Sequence, residues 1–340
     1  MSSIKDVARA AGVSTATVSH VINNTRFVSD EVRARVLAAV EECGYYPNAH
    51  ARSLASGRSQ ILGLLISDIS NPFFPELVKS IETTAFEHGY DVVLSNTNYD
   101  PERTSHYVRR LIERKVAGVA LMTSEMDAGL IEELARREVA VVFLDLGAPG
   151  PHMSNLCVEY ESGIEEAIRH LVSLGHRDIA FVSGPERLRS SAKRLEAFRA
   201  STAKFLPDSP PRIYAGDLRL EGGRRAAREM LSRGVLPTAV VAANDLMALG
   251  AMGEFHAEGL VIPRDISVVG FDDIAFASLV EPRLTTVCLP RADLGRHAVE
   301  ALMATIAHPE QQGVEIRIPT YLVTRGSTAP ARERQTGGER

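Results

Sequence analysis

At 340 residues the chain is too long for one compact domain and has room for two or three. Its 45% hydrophobic and 24% charged content excludes a disordered chain, and no apolar run approaches the roughly 20 residues that cross a bilayer. The net charge of −5 is unevenly spread: residues 1–60 carry seven Lys and Arg against five Asp and Glu, so a mildly basic head precedes an acidic body.

The N-terminus reads as the start of a helix. Met1 is followed by Ser2 and Ser3 and then by charges at Lys5, Asp6 and Arg9, which is no secretion signal and predicts a cytoplasmic protein. Cys43, Cys157 and Cys288 are far apart and lack metal-ligand spacing, so they read as reduced thiols, the first and last as core residues. No metal site or cofactor is implied.

Ile4, Val7, Ala8 and Ala11 recur at helical spacing, and Gly12 breaks that helix. Ser14 caps a second helix running to about Asn23, with Val18, Val21 and Ile22 facing inward. A loop at 23–25 leads to Ser29, which caps a third helix with Val36, Ala39 and Val40 inside and Gly44 at its end. After Pro47 come a short segment at 48–56 and a flexible joint, Gly57-Arg58-Ser59-Gln60. From Ile61 the pattern changes. Apolar runs at Ile61–Ile66, Asp91–Leu94, Gly118–Leu121, Val139–Leu144, Asp178–Val182, Ala239–Ala242 and Ile266–Val269 alternate with amphipathic stretches, the mark of parallel sheets with crossover helices. The polar stretch 329–340 reads as a disordered tail.

A first helix, a tight turn and a second helix with small polar residues at its start make a helix-turn-helix. Ala8 permits close packing, and Val13 and Val18 hold the pair together. Ser14, Thr15, Ala16, Thr17, Ser19, His20 and Asn23 remain for phosphates and base edges.

The run IKDVARAAGVSTATVSHVIN (Ile4–Asn23), continued to GYYPNAHARSL (Gly44–Leu54), resembles the LacI/GalR family of bacterial repressors. The resemblance implies that Thr15, Ala16 and His20 read bases, that Arg26 reaches a base from the following loop, and that Asn23 and Tyr45 contact phosphates. It further implies that 48–56 is a hinge helix, too short to be stable alone, which pairs with its dimer mate on DNA and drives Leu54 into the minor groove, with Arg52 nearby. The expected division is a head at 1–46, hinge and linker at 47–60, and an effector domain at 61–328.

Within 61–328, SNPFF (Ser70–Phe74), GHRDIA (Gly175–Ala180), NDLMALG (Asn244–Gly250), VVGFDD (Val268–Asp273) and PRLTTV (Pro282–Val287) resemble the same family and, more distantly, periplasmic sugar-binding proteins. The fold class implied is α/β: two Rossmann-like parallel-sheet subdomains of periplasmic-binding-protein type behind the all-α head. Their expected extents are 61–159 with 290–319, and 160–289 with 320–328. A ligand belongs at the carboxyl ends of the strands. Asp145, Asn244, Asp245 and Asp272 follow strands and so point at the cleft, and Phe73 and Phe74 supply an apolar face for a sugar ring. Arg194 stands where the family places a ligand-binding Arg. The Arg and Thr that precede it in purine-sensing relatives are replaced by Leu188 and Ser190, and an aromatic that stacks on purine is replaced by Leu218. Those replacements favour a small sugar such as a pentose over a purine-type co-repressor; Glu159-Tyr160, where many relatives have Asp-Asn, departs from the sugar pattern too.

Two other classes are weighed. A secreted solute-binding protein would share 61–328 but has no use for the head. An α/β enzyme would need a phosphate loop, a nucleophile elbow or clustered metal ligands, and the sequence has none of these. The expected partners are therefore a palindromic double-stranded DNA operator, a small effector and a second copy of the chain, paired through helices near Pro75–Glu87 and Met247–Glu258. Whether the effector releases or promotes DNA binding is left open.

Overall fold

A computed structural model describes residues 2–23, 25–45, 59–123, 128–145 and 147–332. The chain divides into two compact units, Met1–Gln60 and Ile61–Arg340.

In the first unit, α1 (Ile4–Ala11), α2 (Thr15–Asn23) and α3 (Asp30–Glu42) pack around Val7, Ala8, Ala11, Val18, Val21, Val36 and Ala39. Each end has a local cause. The Asp6 carboxylate accepts from the N–H and hydroxyl of Ser3, and those bonds hold its carboxyl below the ordinary value. Gly12 adopts φ 63°, the left-handed conformation that reverses the chain within one residue. Ser14 Oγ then accepts the Thr17 N–H at 3.1 Å and so caps α2. Ser29, expected to cap α3 through its side chain, does so only through its carbonyl, which accepts from Arg33. The proposed hinge, with Arg52 and Leu54, lies outside the described residues.

The second unit is built on two six-stranded sheets. The first contains β1 (Ile61–Ile66), β2 (Asp91–Asn96), β3 (Gly118–Met122), β4 (Ala140–Leu144), β5 (Met153–Glu159) and β11 (Glu315–Pro319) in the order β11-β5-β4-β3-β1-β2, all parallel. The second contains β6 (Ile179–Ser183), β7 (Arg212–Ala215), β8 (Ala239–Ala242), β9 (Ser267–Asp272), β10 (Thr285–Cys288) and β12 (Tyr321–Val323) in the order β12-β10-β9-β8-β6-β7. Here only β12 runs antiparallel. Each sheet reverses its winding between its first and third strands, the switch point where doubly wound sheets bind ligands.

The helices α4 (Phe73–Glu87), α5 (Pro101–Glu113), α6 (Ala128–Arg136) and α11 (Arg291–Ala307) belong to the first sheet. The second has α7 (Tyr160–Ser173), α8 (Arg189–Phe205), α9 (Leu220–Ser232) and α10 (Asp245–Ala257). The chain therefore passes between the sheets three times: at Glu159–Tyr160, between Cys288 and Arg291, and across Thr320. Gly163 marks the first crossing, where a Cβ would lie 2.3 Å from Val287 and 2.6 Å from the Thr320 hydroxyl. Only a residue without a side chain lets α7 sit this close to the third crossing.

Two sequence expectations are corrected. The tail does not begin at 329, because residues 329–332 are bound to the body. The Ala329 carbonyl accepts from buried His176, its N–H donates to Ser267, the Ala331 N–H donates to Leu174 O at 2.7 Å, and Arg332 faces Asp265. This strap also explains the Gly-His pair of GHRDIA: Gly175, at φ 86°, ends α7, and His176 then ties the strap to Thr238. The second correction is Asp245. It is buried away from the cleft, where its carboxylate accepts from the Ile274 N–H and the Thr286 hydroxyl.

Candidate functional site

In the head, Ser14, Thr15 and Ala16 are exposed at the start of α2, while Thr17, Ser19, His20 and Asn23 are half-buried along it. His20 Nδ1 lies 2.8 Å from the Thr25 hydroxyl, which fixes the ring against the loop after the helix. Asn23 donates to Ser19, and its Oδ1 is buried with no partner among the described residues. Arg26 is fully in solvent-facing loop, and Tyr45 packs its ring on the head's core. Seven predicted contacts, from Ser14 to Asn23, thus share one short helix and its cap.

In the body, eight of the residues expected at the effector site line one cavity between the two sheets: Phe73, Phe74, Asp145, Ser190, Arg194, Leu218, Asn244 and Asp272. Ser67, Asn71, Tyr99, Thr123 and Tyr160 join them. The open volume is about 50 Å³, room for a few waters and well below the ~300 Å³ at which pockets for small molecules begin.

The cavity's chemistry centres on one ion pair. Arg194 is buried, its guanidinium carbon 4.3 Å from the centre of the Phe271 ring and 5.1 Å from that of Tyr160. Its Nη2 donates to Asp272 Oδ1 at 3.1 Å, while its Nε has no partner among the described residues. Burial raises the Asp272 carboxyl to about 6, even though Arg194 and Arg291 pull it down. Facing this pair, Phe73 and Phe74 meet edge to face, with ring centres 5.2 Å apart.

The remaining polar groups are already engaged. Asp145 accepts from the Tyr160 hydroxyl at 2.8 Å, the Val158 N–H at 3.1 Å and Lys193 Nζ at 2.7 Å. Asn244 caps α10 through the Met247 N–H and donates its amide to Leu218 O, which fixes Leu218 in a left-handed turn at φ 64°. Sequence position marked these residues as facing the cleft without revealing that their side chains support its walls. Lys193 and Tyr160 were not among the predicted site residues. For Tyr160 the available signal was its place directly after a strand, at a crossing.

A contact at the mouth joins the two sheets. Arg219, just before α9, donates to Asp68 through Nη2 at 3.2 Å and Nε at 3.3 Å, and to Asn98 Oδ1 at 2.9 Å. Asp68 in turn accepts from the Ser70 N–H and hydroxyl, in the turn that leads to Phe73. Burial alone would raise the Asp68 carboxyl, but the Ser70 donors and Arg219 outweigh it and hold it below the ordinary value. Among the described residues no cluster of His, Cys, Asp and Glu could hold a metal ion, and no helix is long and apolar enough to cross a membrane.

A helix-turn-helix head followed by a two-sheet body with a polar and aromatic cleft defines a DNA-reading regulator with a ligand-sensing domain. Residues 3–48 match the model for bacterial regulatory proteins of the lacI family, and residues 168–328 match that of the periplasmic binding protein-like domain. The chain is 38% identical to the ribose operon repressor of Escherichia coli strain K12, over 96% of this chain and 100% of that one. It is 36% identical to the HTH-type transcriptional repressor PurR of Aliivibrio salmonicida, over 96% and 99%. Its fold matches the lac repressor dimer bound to operator and the anti-inducer ONPF, with TM-score 0.86 and 31% identity over 96% of this chain and 99% of that one. A LacI family regulator from Enterococcus faecium with bound ribose matches with TM-score 0.73 and 28% identity, over 80% and 100%. The chain belongs to the lacI family of bacterial transcriptional regulators. The α/β fold class and the DNA-binding function expected from the sequence are both borne out.

Proposed function

We propose that this regulator binds a palindromic operator as a homodimer and that its operator affinity is set by an uncharged sugar of pentose size held in the cleft. The observation that carries the sugar reading is the buried Arg194–Asp272 pair with the unpartnered Arg194 Nε beside the Phe73–Phe74 face. A pyranose or furanose offers hydroxyl oxygens to the guanidinium, hydroxyl protons to the carboxylate and C–H bonds to an aromatic face. Arg194 and Lys193 are balanced by Asp272 and Asp145, so a phosphorylated sugar would enter with unpaired negative charge. Leu218 stands where purine-sensing relatives have a stacking aromatic, and Leu188 and Ser190 stand where they have an Arg and a Thr, which favours the sugar over a purine.

The DNA-contact roles of Ser14, Thr15, Ala16, Thr17, His20, Asn23, Arg26 and Tyr45, and of Arg52 and Leu54 in the hinge, belong to the same reading, as does dimerisation through α4 and α10. A thermal-shift screen tests the effector: D-ribose should raise the melting temperature, hypoxanthine and ribose 5-phosphate should not. Stabilisation by hypoxanthine alone would replace the sugar by a purine. Footprinting tests the operator, which should show two-fold symmetry.

A further inference from the structure

We propose that Arg291 is a positioning residue that sets the separation of the cavity's polar and aromatic walls, acting through the backbone of Asp272 on one side and through α4 on the other. The end of β9 has an unusual shape. Asp272 has φ 112° and Asp273 φ 56°, two consecutive residues in the left-handed half of conformational space where side chains are strained. Such a turn persists only when its surroundings hold it. Arg291 does so by donating from Nη1 to the Asp272 carbonyl and from Nη2 to the Asp273 carbonyl at 2.6 Å. The backbone that aims the Asp272 carboxylate at Arg194 is thereby clamped by a planar fork matched to two acceptors.

Arg291 itself does not belong to that sheet. It opens α11, the first helix after the second crossing, and its Nε donates to Glu76 at 2.8 Å in the first turn of α4. That turn carries Phe73 and Phe74. The two helices are locked further along, where Ser80 donates to Ala292 O and a Cβ on Gly295 would lie 2.5 Å from the Ser80 hydroxyl. One guanidinium therefore touches the strand end that supplies the cavity's carboxylate and the helix that supplies its aromatic face. It is nearly buried, with a side-chain exposure of 13%. A movement of Asp272 is passed to α4 without any contact between them.

The sugar-affinity arm of the test rests on the effector reading above, and the exchange arm does not. Hydrogen–deuterium exchange is measured on the full-length chain as wild type, Glu76→Ala, Arg291→Met and the double variant, without added sugar. Glu76→Ala removes a partly exposed side chain and leaves the fold in place. It should speed exchange at residues 272–274 about three- to ten-fold although Glu76 does not touch them, with the β8 amides unchanged. Arg291→Met should speed exchange both there and in the first turn of α4, and adding Glu76→Ala should give no further increase. Arg291→Lys, which keeps the charge but loses the fork, should not restore the wild-type pattern. D-ribose affinity by calorimetry should fall in the same order, non-additively. If D-ribose fails to bind the wild type, the sugar reading falls while the exchange pattern still decides the relay. Unchanged exchange at 272–274 in Glu76→Ala, or strictly additive effects in the double variant, would overturn it.

Discussion

Asp272 is a buried carboxyl in the cavity wall. Its carboxyl is raised to about 6, against about 3.9 in an unfolded chain, chiefly by burial. A raised acid binds more protons folded than unfolded between those values. Its contribution to stability is therefore present below pH ~4 and is lost as pH rises to about 6, a change on the order of 3 kcal/mol. Denaturant titrations from pH 4 to 7 should show that loss in the wild type and not in Asp272→Asn. The proposed sugar affinity should run the other way, because the ionised carboxylate would accept sugar hydroxyls and holds Arg194 in place. D-ribose binding should weaken several-fold from pH 7 to pH 5, and Asp272→Asn should bind weakly at both. At this scale the sequence was informative about location. Asp145 after β4, Asn244 after β8 and Asp272 at the end of β9 were expected at the cleft because doubly wound sheets open at their carboxyl ends, and they line it, whereas Asp245, expected there on the same ground, does not. Hydrogen-bond assignments were not legible, since they depend on distant residues: Lys193 for Asp145, Leu218 for Asn244, and Thr286 for Asp245.

Among elements, α2 carries most of the proposed recognition and has little to hold it. Its buried face amounts to Val18 and Val21. Val18→Ala should cost about 2 kcal/mol and speed amide exchange throughout the head while leaving the body protected. His20→Ala should instead leave the head's exchange unchanged, cost about 1–3 kcal/mol on the cognate operator and relax base preference. Filter binding to an operator library separates the two. The three helices were legible because Gly12, Ser14 and Gly44 punctuate them. The strands were legible where both faces are buried in apolar neighbours, as in β1, β3 and β8. β5, β7, β10, β11 and β12 escaped notice for physical reasons. β5 buries Ser154 and Asn155, β10 buries Thr285 and Thr286, and β7, β11 and β12 are sheet edges with exposed side chains. Polar strand interiors and half-exposed edges leave no apolar run to detect.

For the whole body, one contact across the cleft is that of Arg219 with Asp68 at its mouth. Arg219 is half exposed and Asp68 nearly buried, with side-chain exposures of 50% and 8%, so their attraction is partly screened and worth about 1 kcal/mol or less. Arg219→Gln should speed D-ribose release about three-fold in stopped-flow measurements and change its association rate little. Raising salt should speed release in the wild type and have little effect in the variant. Equal salt dependence in both would show that the mouth opens without breaking this contact. The crossings near Tyr160, Pro290 and Pro319 were expected from the resemblance to the family's two-subdomain fold. The mouth contact was not, because Asp68, Asn98 and Arg219 are ordinary surface charges and amides until the fold brings them together.

The Arg219 contact also bears on time. With the proposed sugar as effector, the regulator would keep its last state after the sugar is gone for as long as the mouth stays shut. The dwell time of the proposed sugar, and with it the lag before transcription responds to depletion, would then be stretched about three-fold by a contact that touches neither sugar nor DNA. Ionic strength then tunes how long the cell acts on a nutrient that is already gone.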